Sequence, residues 1–255
     1  MFKTIFFVIC ILGLYACQSV EPPPRFYREQ AQIHLQQALV YYQEKQLPEA
    51  LEEALKAKEI CPDDPEVYNL LGLILLNRGD LEGAIKNFQK AIDLNPRFSE
   101  AINNLGSVYL LKGDIDKAIS FFQKALENPL YTKPYVAYTN LAWAYYQRKE
   151  KQKAIEYLQK ALSYNPRYHL AYFYRGMIAL NEGALDRARI SFRRAVRFNR
   201  QDMASRYYLG LVYYRLGEEE KAIKLWRSIL QLDPDSEWAL KAEDKLLTLE
   251  ELLEH

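Results

Sequence analysis

The stretch NLGSVYLLKGDIDKAISFFQKAL, residues 104–126, contains two apolar patterns of helical period with a Gly-Asp pair between them. The first pattern, which begins just before the stretch, comprises Ile102, Leu105, Gly106 and Tyr109, and the second comprises Ile115, Ala118, Ile119, Phe122 and Ala125. Apolar residues spaced three and four positions apart share one face of an α-helix. The glycine between the patterns tolerates the left-handed backbone that ends a helix. The stretch therefore predicts two amphipathic helices joined by a tight turn.

The same pattern recurs along the chain at a regular spacing. One series of small residues is Ala38, Gly72, Gly106, Ala142, Gly176 and Gly210, and a second is Ala50, Ala84, Ala118, Ala154, Ala188 and Ala222. Successive members are 34 residues apart, as from 72 to 106, except that the third-to-fourth step is 36. Small side chains let the two helices of a pair approach, and the apolar surface that each pair leaves open is covered by the next pair. Two series in register therefore indicate six stacked helical pairs.

This pattern of paired helices resembles the tetratricopeptide repeat. The resemblance covers residues 29–234 in six units. It implies an all-α fold, a right-handed superhelical solenoid of six tetratricopeptide repeats. Residues 235–255 are predicted to form a C-terminal capping helix that turns Trp238, Leu246 and Leu249 inward.

The first residues have the features of an export signal. Lys3 provides a positive start, and residues 5–15 form an apolar run that is too short to span a bilayer. The sequence LYAC, residues 14–17, resembles the lipobox of bacterial lipoproteins, which implies cleavage before Cys17 and acylation of its side chain. We therefore predict a lipoprotein signal peptide over residues 1–16 and lipidation of Cys17. An ordinary cleaved signal and an uncleaved anchor are the alternatives.

Residues 17–28 are predicted to comprise Cys17, which carries the lipid, and a Pro-rich tether. Three consecutive prolines, residues 22–24, favour an extended polyproline conformation that holds the folded part away from the lipid. By resemblance to lipoprotein sorting rules, Gln18 in place of an aspartate implies the outer membrane. We expect a lipid anchor at the periplasmic face of the outer membrane through acylated Cys17.

Composition and charge argue against several classes of function. The net charge of +1 at pH 7 disfavours a general nucleic-acid binder. The three cysteines fit neither a disulfide framework nor a zinc site, and no catalytic or phosphate-binding motif occurs. Cys61, beside a proline that closes a unit, is predicted to be a small buried hydrophobe. We therefore expect a non-enzymatic protein with no catalytic residues, no metal site, no cofactor and no nucleic-acid partner.

The second face of the first helix in each unit is more apolar than solubility requires. In the repeat family that the sequence resembles, this face lines a concave groove. Contiguous apolar surface marks partner sites, and aromatic side chains dominate binding energy. The predicted groove residues are Leu73, Trp143, Tyr146, Phe173, Met177, Tyr207 and Leu211. The alternative is that these residues pack against adjacent repeats or against the chain's own ends.

Arginines are concentrated late in the chain, and one predicted helix carries Arg187, Arg189, Arg193, Arg194 and Arg197. One interpretation is a solvated outer face balanced by acids such as those at residues 218–220. The other is contact with anionic head groups or with an acidic partner surface.

The longer third-to-fourth junction contains NPLY, residues 128–131. An insertion in a solenoid maps to a loop, which is either a functional surface or a neutral change of length. The chain, with its lipobox, its six repeats and this NPLY element, resembles the type IV pilus biogenesis lipoproteins called pilotins.

The resemblance implies an outer-membrane lipoprotein that helps the pilus secretin to reach, insert into or multimerise in the outer membrane. The partner is then the secretin or another envelope protein, together with the bilayer through acylated Cys17. We expect a monomeric scaffold that acts by binding. The alternative is a general envelope adaptor lipoprotein that recruits peptidoglycan or secretion enzymes.

Overall fold

A computed structural model describes residues 25–253 of the chain as thirteen α-helices, and the described residues contain no strand. The helices are α1 (Arg25–Gln43), α2 (Leu47–Ile60), α3 (Pro65–Asn77), α4 (Leu81–Leu94), α5 (Ser99–Leu111), α6 (Ile115–Leu126), α7 (Pro134–Gln147), α8 (Lys151–Tyr164), α9 (His169–Asn181), α10 (Leu185–Phe198), α11 (Met203–Arg215), α12 (Glu219–Leu232) and α13 (Glu237–Leu253). The predicted all-α fold is confirmed. No helix within residues 25–253 combines the length and apolar character needed to cross a bilayer.

Six consecutive helix pairs stack into a solenoid. We call the first helix of each pair, α1 to α11 in odd numbers, an A helix, and its even-numbered partner a B helix. Each A helix packs against its own B helix, and each B helix packs against the next A helix. Neighbouring A helices such as α3 and α5 also touch each other, whereas the B helices have no comparable contacts. The stack therefore curves with the A helices on its inner, concave side.

In the second to sixth pairs, a small residue on the A helix faces a larger one sixteen positions later on the B helix, whereas in the first pair both positions, 38 and 54, are alanine. Glycines 72, 106, 176 and 210 face Phe88, Phe122, Phe192 and Trp226, all of which are fully buried. In the fourth pair the equivalent residues are Ala142 and Leu158, which are 1% exposed each. The first series of small residues found in the sequence, which runs from Ala38 to Gly210, thus marks where paired helices approach most closely.

The turn between the two helices of a pair requires a left-handed residue. Gly113 has φ +81° and Gly183 has φ +70° at this position. In the first and fourth pairs the position is occupied by Lys45 (φ 63°) and Lys149 (φ 66°). A β-carbon destabilises the left-handed conformation, so the turns at Lys45 and Lys149 are less stable than those with glycine.

The ends of the helical array depart slightly from the predicted boundaries. Helix α1 begins at Arg25, so residues 25–28, assigned above to the tether, are helical. The signal peptide predicted over residues 1–16, Cys17 and the three prolines lie outside the described residues. Helix α13 occupies the expected cap, where Ala242 and Leu249 are buried and Trp238 and Leu246 pack beside them.

The curvature brings the two ends of the array together. Lys45, in the turn of the first pair, has its Nζ 3.4 Å from Oδ2 of Asp233, which follows the last B helix. The two residues are 188 positions apart in the chain. Both side chains reach solvent, so this ion pair contributes little to stability and chiefly reports that the solenoid nearly closes on itself.

The longer junction between the third and fourth pairs is anchored at both ends. Asn128 donates from Nδ2 to the carbonyl oxygen of Arg97 (3.0 Å) and to Oγ of Ser99 (3.2 Å). Tyr131 is 8% exposed and lies in a core cluster formed mainly by the second and third pairs together with Ala137 of the fourth, whereas Leu130 is 81% exposed. The insertion is therefore an ordered loop with one buried and one projecting apolar side chain.

Candidate protein-binding groove

The predicted groove residues all lie on A helices, on the concave side of the stack. Leu73 is on α3, Trp143 and Tyr146 are on α7, Phe173 and Met177 are on α9, and Tyr207 and Leu211 are on α11. Each of the seven is half-buried, which is the exposure of a side chain packed at its base and open at its tip. That these residues contact a partner stays a prediction.

The centre of the groove is an aromatic surface shared by α7 and α9. The ring of Trp143 stacks on Tyr174, with centroids 4.8 Å apart, and on Tyr146, with centroids 5.4 Å apart. Asn181 donates from Nδ2 to the hydroxyl of Tyr146 at 3.0 Å. Burial raises the pKa of the Tyr174 hydroxyl, so the ring surface stays neutral at physiological pH. The tryptophan is thus held in one orientation by rings from two successive repeats.

Phe173 continues this surface toward α11. Its ring meets Tyr174 at 5.4 Å and Tyr208 at 5.8 Å, both edge to face. It also lies 5.9 Å from the buried Phe192 of its own B helix. Phe173 therefore supports the core of the fifth pair as well as lining the groove.

The C-terminal end of the groove is covered by the cap. The ring of Trp238 on α13 lies 5.6 Å from Tyr207 and 6.0 Å from Tyr208. Leu211 packs against the same cluster. Tyr207 and Leu211 therefore pack in part against the chain's own C-terminal helix, which is the alternative given above for groove residues.

The N-terminal half of the concave side is polar. Asn104 donates from Nδ2 to Oδ1 of Asn69 at 2.9 Å, and Asn140 donates to Oδ1 of Asn103 at 3.1 Å. These amides link consecutive A helices; Asn103 is buried, whereas Asn69, Asn104 and Asn140 are half-buried. Leu73 lies in this polar half, with α5 between it and the aromatic surface on α7, so the structure does not bring it together with Trp143.

Sequence reasoning missed Tyr174 and Tyr208, whose half-buried rings contact those of the predicted residues. Each directly follows a predicted groove residue in the chain, and each lies between two columns of the repeat. A search restricted to equivalent repeat positions passes over such residues. The signal available was the doubling of aromatic residues at 173–174 and 207–208.

The described residues offer no arrangement suited to metal or covalent chemistry. No cluster of three or more His, Cys, Asp or Glu side chains among them could hold a metal ion. Cys61 is 6% exposed, and burial raises the pKa of its thiol to about 11, the hydrogen bond to Asp63 adding to the effect. A thiol with so high a pKa is a poor nucleophile at neutral pH, as its predicted role in the core requires.

Sequence models of one repeat family match most of the chain. Models described as tetratricopeptide or TPR repeats match residues 38–77, 72–113, 98–167, 139–202 and 204–236. Together they cover the helical pairs from the first to the sixth. The chain is a tetratricopeptide-repeat protein.

Curated relatives share only part of their length with this tetratricopeptide-repeat protein. The BBSome complex member BBS4 of Bos taurus is 33% identical over 108 residues, which are 42% of this chain and 21% of the relative. Anaphase-promoting complex subunit 3 of Schizosaccharomyces pombe is 28% identical over 113 residues, 44% of this chain and 17% of that protein. The matched part of the chain thus spans about a fifth of each relative.

Two solved structures match most of this tetratricopeptide-repeat protein over nearly their own full length. PilF of Pseudomonas aeruginosa has a TM-score of 0.64 at 20% identity, covering 86% of this chain and 99% of PilF. PilW, described as a widely conserved type IV pilus biogenesis factor, has a TM-score of 0.67 at 20% identity, covering 84% of this chain and 98% of PilW. The Cut9 complex of the anaphase-promoting machinery matches at a TM-score of 0.70 and 18% identity, but the match covers only 42% of that longer chain. At these identities the likeness is one of fold.

Proposed function

We propose that this protein is a pilotin: an outer-membrane lipoprotein that binds the type IV pilus secretin through its concave groove and promotes secretin assembly or localisation. The fold is that of a protein-interaction scaffold, and its structural neighbours include PilF and the type IV pilus biogenesis factor PilW. The observation that carries the proposal is the aromatic surface of Trp143, Tyr174 and Phe173, held open on the concave side by stacked rings. Rigid aromatic rings lose little conformational entropy on binding, and such side chains commonly dominate interface energies.

The proposed mechanism needs binding and position only. A scaffold tethered to the outer membrane through Cys17 raises the local concentration of a bound secretin subunit beside the membrane. The half-buried amides of Asn104 and Asn140 suit the main chain of a bound segment, and the aromatic half of the groove suits its apolar side chains. Assembly is then favoured by proximity, without turnover.

Crosslinking from the groove tests the partner. A photoreactive phenylalanine analogue placed at Trp143 or Met177 should crosslink to the secretin in cells. The matched control is Tyr164, an aromatic residue that is 60% exposed on the B helix α8. Crosslinks from Trp143 and Met177 but not from Tyr164 support the proposal. A crosslink from the groove to a different envelope protein favours the adaptor alternative, and equal capture from all three positions rejects the groove.

A loss-of-function variant tests the consequence. Trp143→Ala with Phe173→Ala should weaken secretin multimers on a denaturing gel while the circular dichroism spectrum keeps its helical shape. Because Phe173 also packs on Phe192, Trp143→Ala with Met177→Ala is a second variant, which leaves this ring contact intact. Normal multimers with both variants would reject the groove.

The lipid anchor is tested separately. Cys17→Ser should abolish incorporation of labelled palmitate and release the protein from the membrane fraction, whereas Cys10→Ser in the same leader should change neither. Palmitate labelling that persists in the Cys17→Ser variant would contradict lipidation at this residue.

A further inference from the structure

A basic recess opens between α10, α11 and α12, on the outer side of the last two repeats. It has a volume of about 490 Å³. Its floor is apolar and consists of Val196, Leu209, Tyr213 and Leu225. Its rim carries the cations Arg193, Arg197, Arg200, Arg206, Lys221 and Lys224. No carboxylate lines it, so it combines an apolar pocket with a ring of positive charge.

The positive charge of the rim is largely unneutralised within the described part of the chain. Lys221 has an ion pair with Glu218, and none of the other five cations has one. Arg189 and Arg187, nearer the start of α10, are neutralised by Glu218 and Glu182 respectively. On the arginine-rich helix, Arg187 and Arg189 are therefore balanced by acids. Arg193 and Arg197 have no ion pair within the described residues.

The recess one repeat earlier shows that this imbalance is not a general property of the fold. It is smaller, about 180 Å³, and is lined by Arg175, Arg187 and the carboxylate of Glu182. Arg187 Nη2 lies 3.2 Å from Glu182 Oε2. A carboxylate thus offsets part of the positive charge of the earlier recess, and no carboxylate lines the later one.

One guanidinium of the basic recess is already fixed in place. Arg206 donates from Nε to the carbonyl oxygen of Arg200 at 2.9 Å and from Nη1 to Oγ of Ser228 at 3.2 Å. Burial lowers its pKa, the charge of Asp202 opposes this effect, and the neighbouring charge of Arg200 adds to it. Asp202 and Glu218 offset only part of the positive charge around the recess, and an excess of like charge favours an anionic ligand.

We propose that the basic recess binds an acidic segment of a partner polypeptide, with one large apolar side chain on the floor and carboxylates on the rim arginines. Guanidinium groups bind carboxylates through paired hydrogen bonds, which suits Arg193 and Arg197 on one wall. An inorganic anion would gain nothing from contact with the apolar floor, whereas an apolar side chain would be buried there. A flat bilayer cannot enter a recess between helices. Because this site lies on the outer side, it is independent of the groove and of the secretin proposal.

Peptide binding to the full chain in detergent tests this site. The probe is a fluorescent peptide in which Glu-Glu-Leu is repeated, compared with peptides of repeated Gln-Gln-Leu and Glu-Glu-Ser. The variant Arg193→Gln, Arg197→Gln, Lys224→Gln removes three unpaired rim charges. The control Lys86→Gln, Lys90→Gln, Lys124→Gln removes three exposed charges from B helices elsewhere.

We expect the rim variant to weaken binding of the Glu-Glu-Leu peptide about tenfold or more and the control to leave it within about twofold. Both comparison peptides should bind more weakly to the wild-type protein, and added salt should weaken binding. Absence of saturable binding, an equal loss in the control variant, or equal affinity for Gln-Gln-Leu would overturn the proposal. Rim-dependent binding to vesicles containing phosphatidylglycerol, without rim-dependent peptide binding, would assign the recess to lipid instead.

Discussion

A β-carbon placed on Gly176 would lie 2.6 Å from Cε1 of Phe192, closer than two carbon atoms can approach. The ring of Phe192 is fully buried between the two helices of the fifth pair. In the fourth pair the equivalent residues are Ala142 and Leu158, so a larger residue on one helix accompanies a smaller one on the other. The spacing of paired helices is therefore set by matched sizes at these two positions.

Gly176→Ala should destabilise the protein by about 1–2 kcal/mol. Overpacking costs about 1–3 kcal/mol, and the gain of replacing a helical glycine offsets roughly 0.5–1 kcal/mol of this. Combining it with Phe192→Leu, which reproduces the pair found at Ala142 and Leu158, should cost less than the sum of the two single changes. Urea unfolding of the four proteins measures this coupling. Strict additivity would show that the two positions do not determine each other.

Lys149→Gly should stabilise the protein by about 1 kcal/mol. Lys149 has φ 66° in a turn where Gly183, one repeat later, has φ 70°. A side chain in this conformation costs roughly 1–2 kcal/mol, part of which is lost again through the freedom of glycine in the unfolded chain. Lys149→Ala is the control, because it removes the charge and keeps the β-carbon. An equal gain from alanine would mean that charge, and not backbone strain, is responsible.

The third-to-fourth junction separates a structural residue from an exposed one. Tyr131→Ala should cost about 3 kcal/mol because the ring is buried in the core cluster that also contains Ala101 and Ala137. Leu130→Ser, one position away and 81% exposed, should change the free energy of unfolding by less than about 0.5 kcal/mol. Chemical denaturation distinguishes the two. A large effect of Leu130→Ser would place its side chain in a contact of the folded protein.

Stability should decrease as the pH falls through about 6.5, in part because of His169. Burial lowers the pKa of this imidazole from 6.5, the charge of Asp202 opposing the effect, and its Nε2 lies 3.3 Å from Nδ2 of Asn199. Below pH 6.5 the unfolded chain binds a proton that the folded protein resists, so protonation favours unfolding. The pH window concerned runs from 6.5 down to the lowered pKa of His169 in the folded protein. Within it, His169→Asn should make the urea concentration at the unfolding midpoint depend less on pH. An unchanged slope in that variant would assign the effect to other groups.

The amino-acid sequence was sufficient to predict the helices, their pairing and the closest approaches between them. Each of these depends on a local period: apolar residues three and four apart define a helix face, and small residues every 34 positions define the crossings, as at Gly72 and Gly106. The burial of Cys61 and the placement of Trp143, Phe173 and Met177 on A helices follow from the same register.

Other features were decided only by the tertiary structure. They include the stacking of Trp143 on Tyr174, the cover that Trp238 provides for Tyr207, and the approach of Lys45 to Asp233. Each depends on the rotation between successive helix pairs, which is set by the packing of side chains from different repeats and accumulates over six units. A repeat pattern specifies that neighbouring units touch. It does not specify that angle, so which side chains meet across repeats, and which arginines are left without a carboxylate, emerge only when the units are stacked.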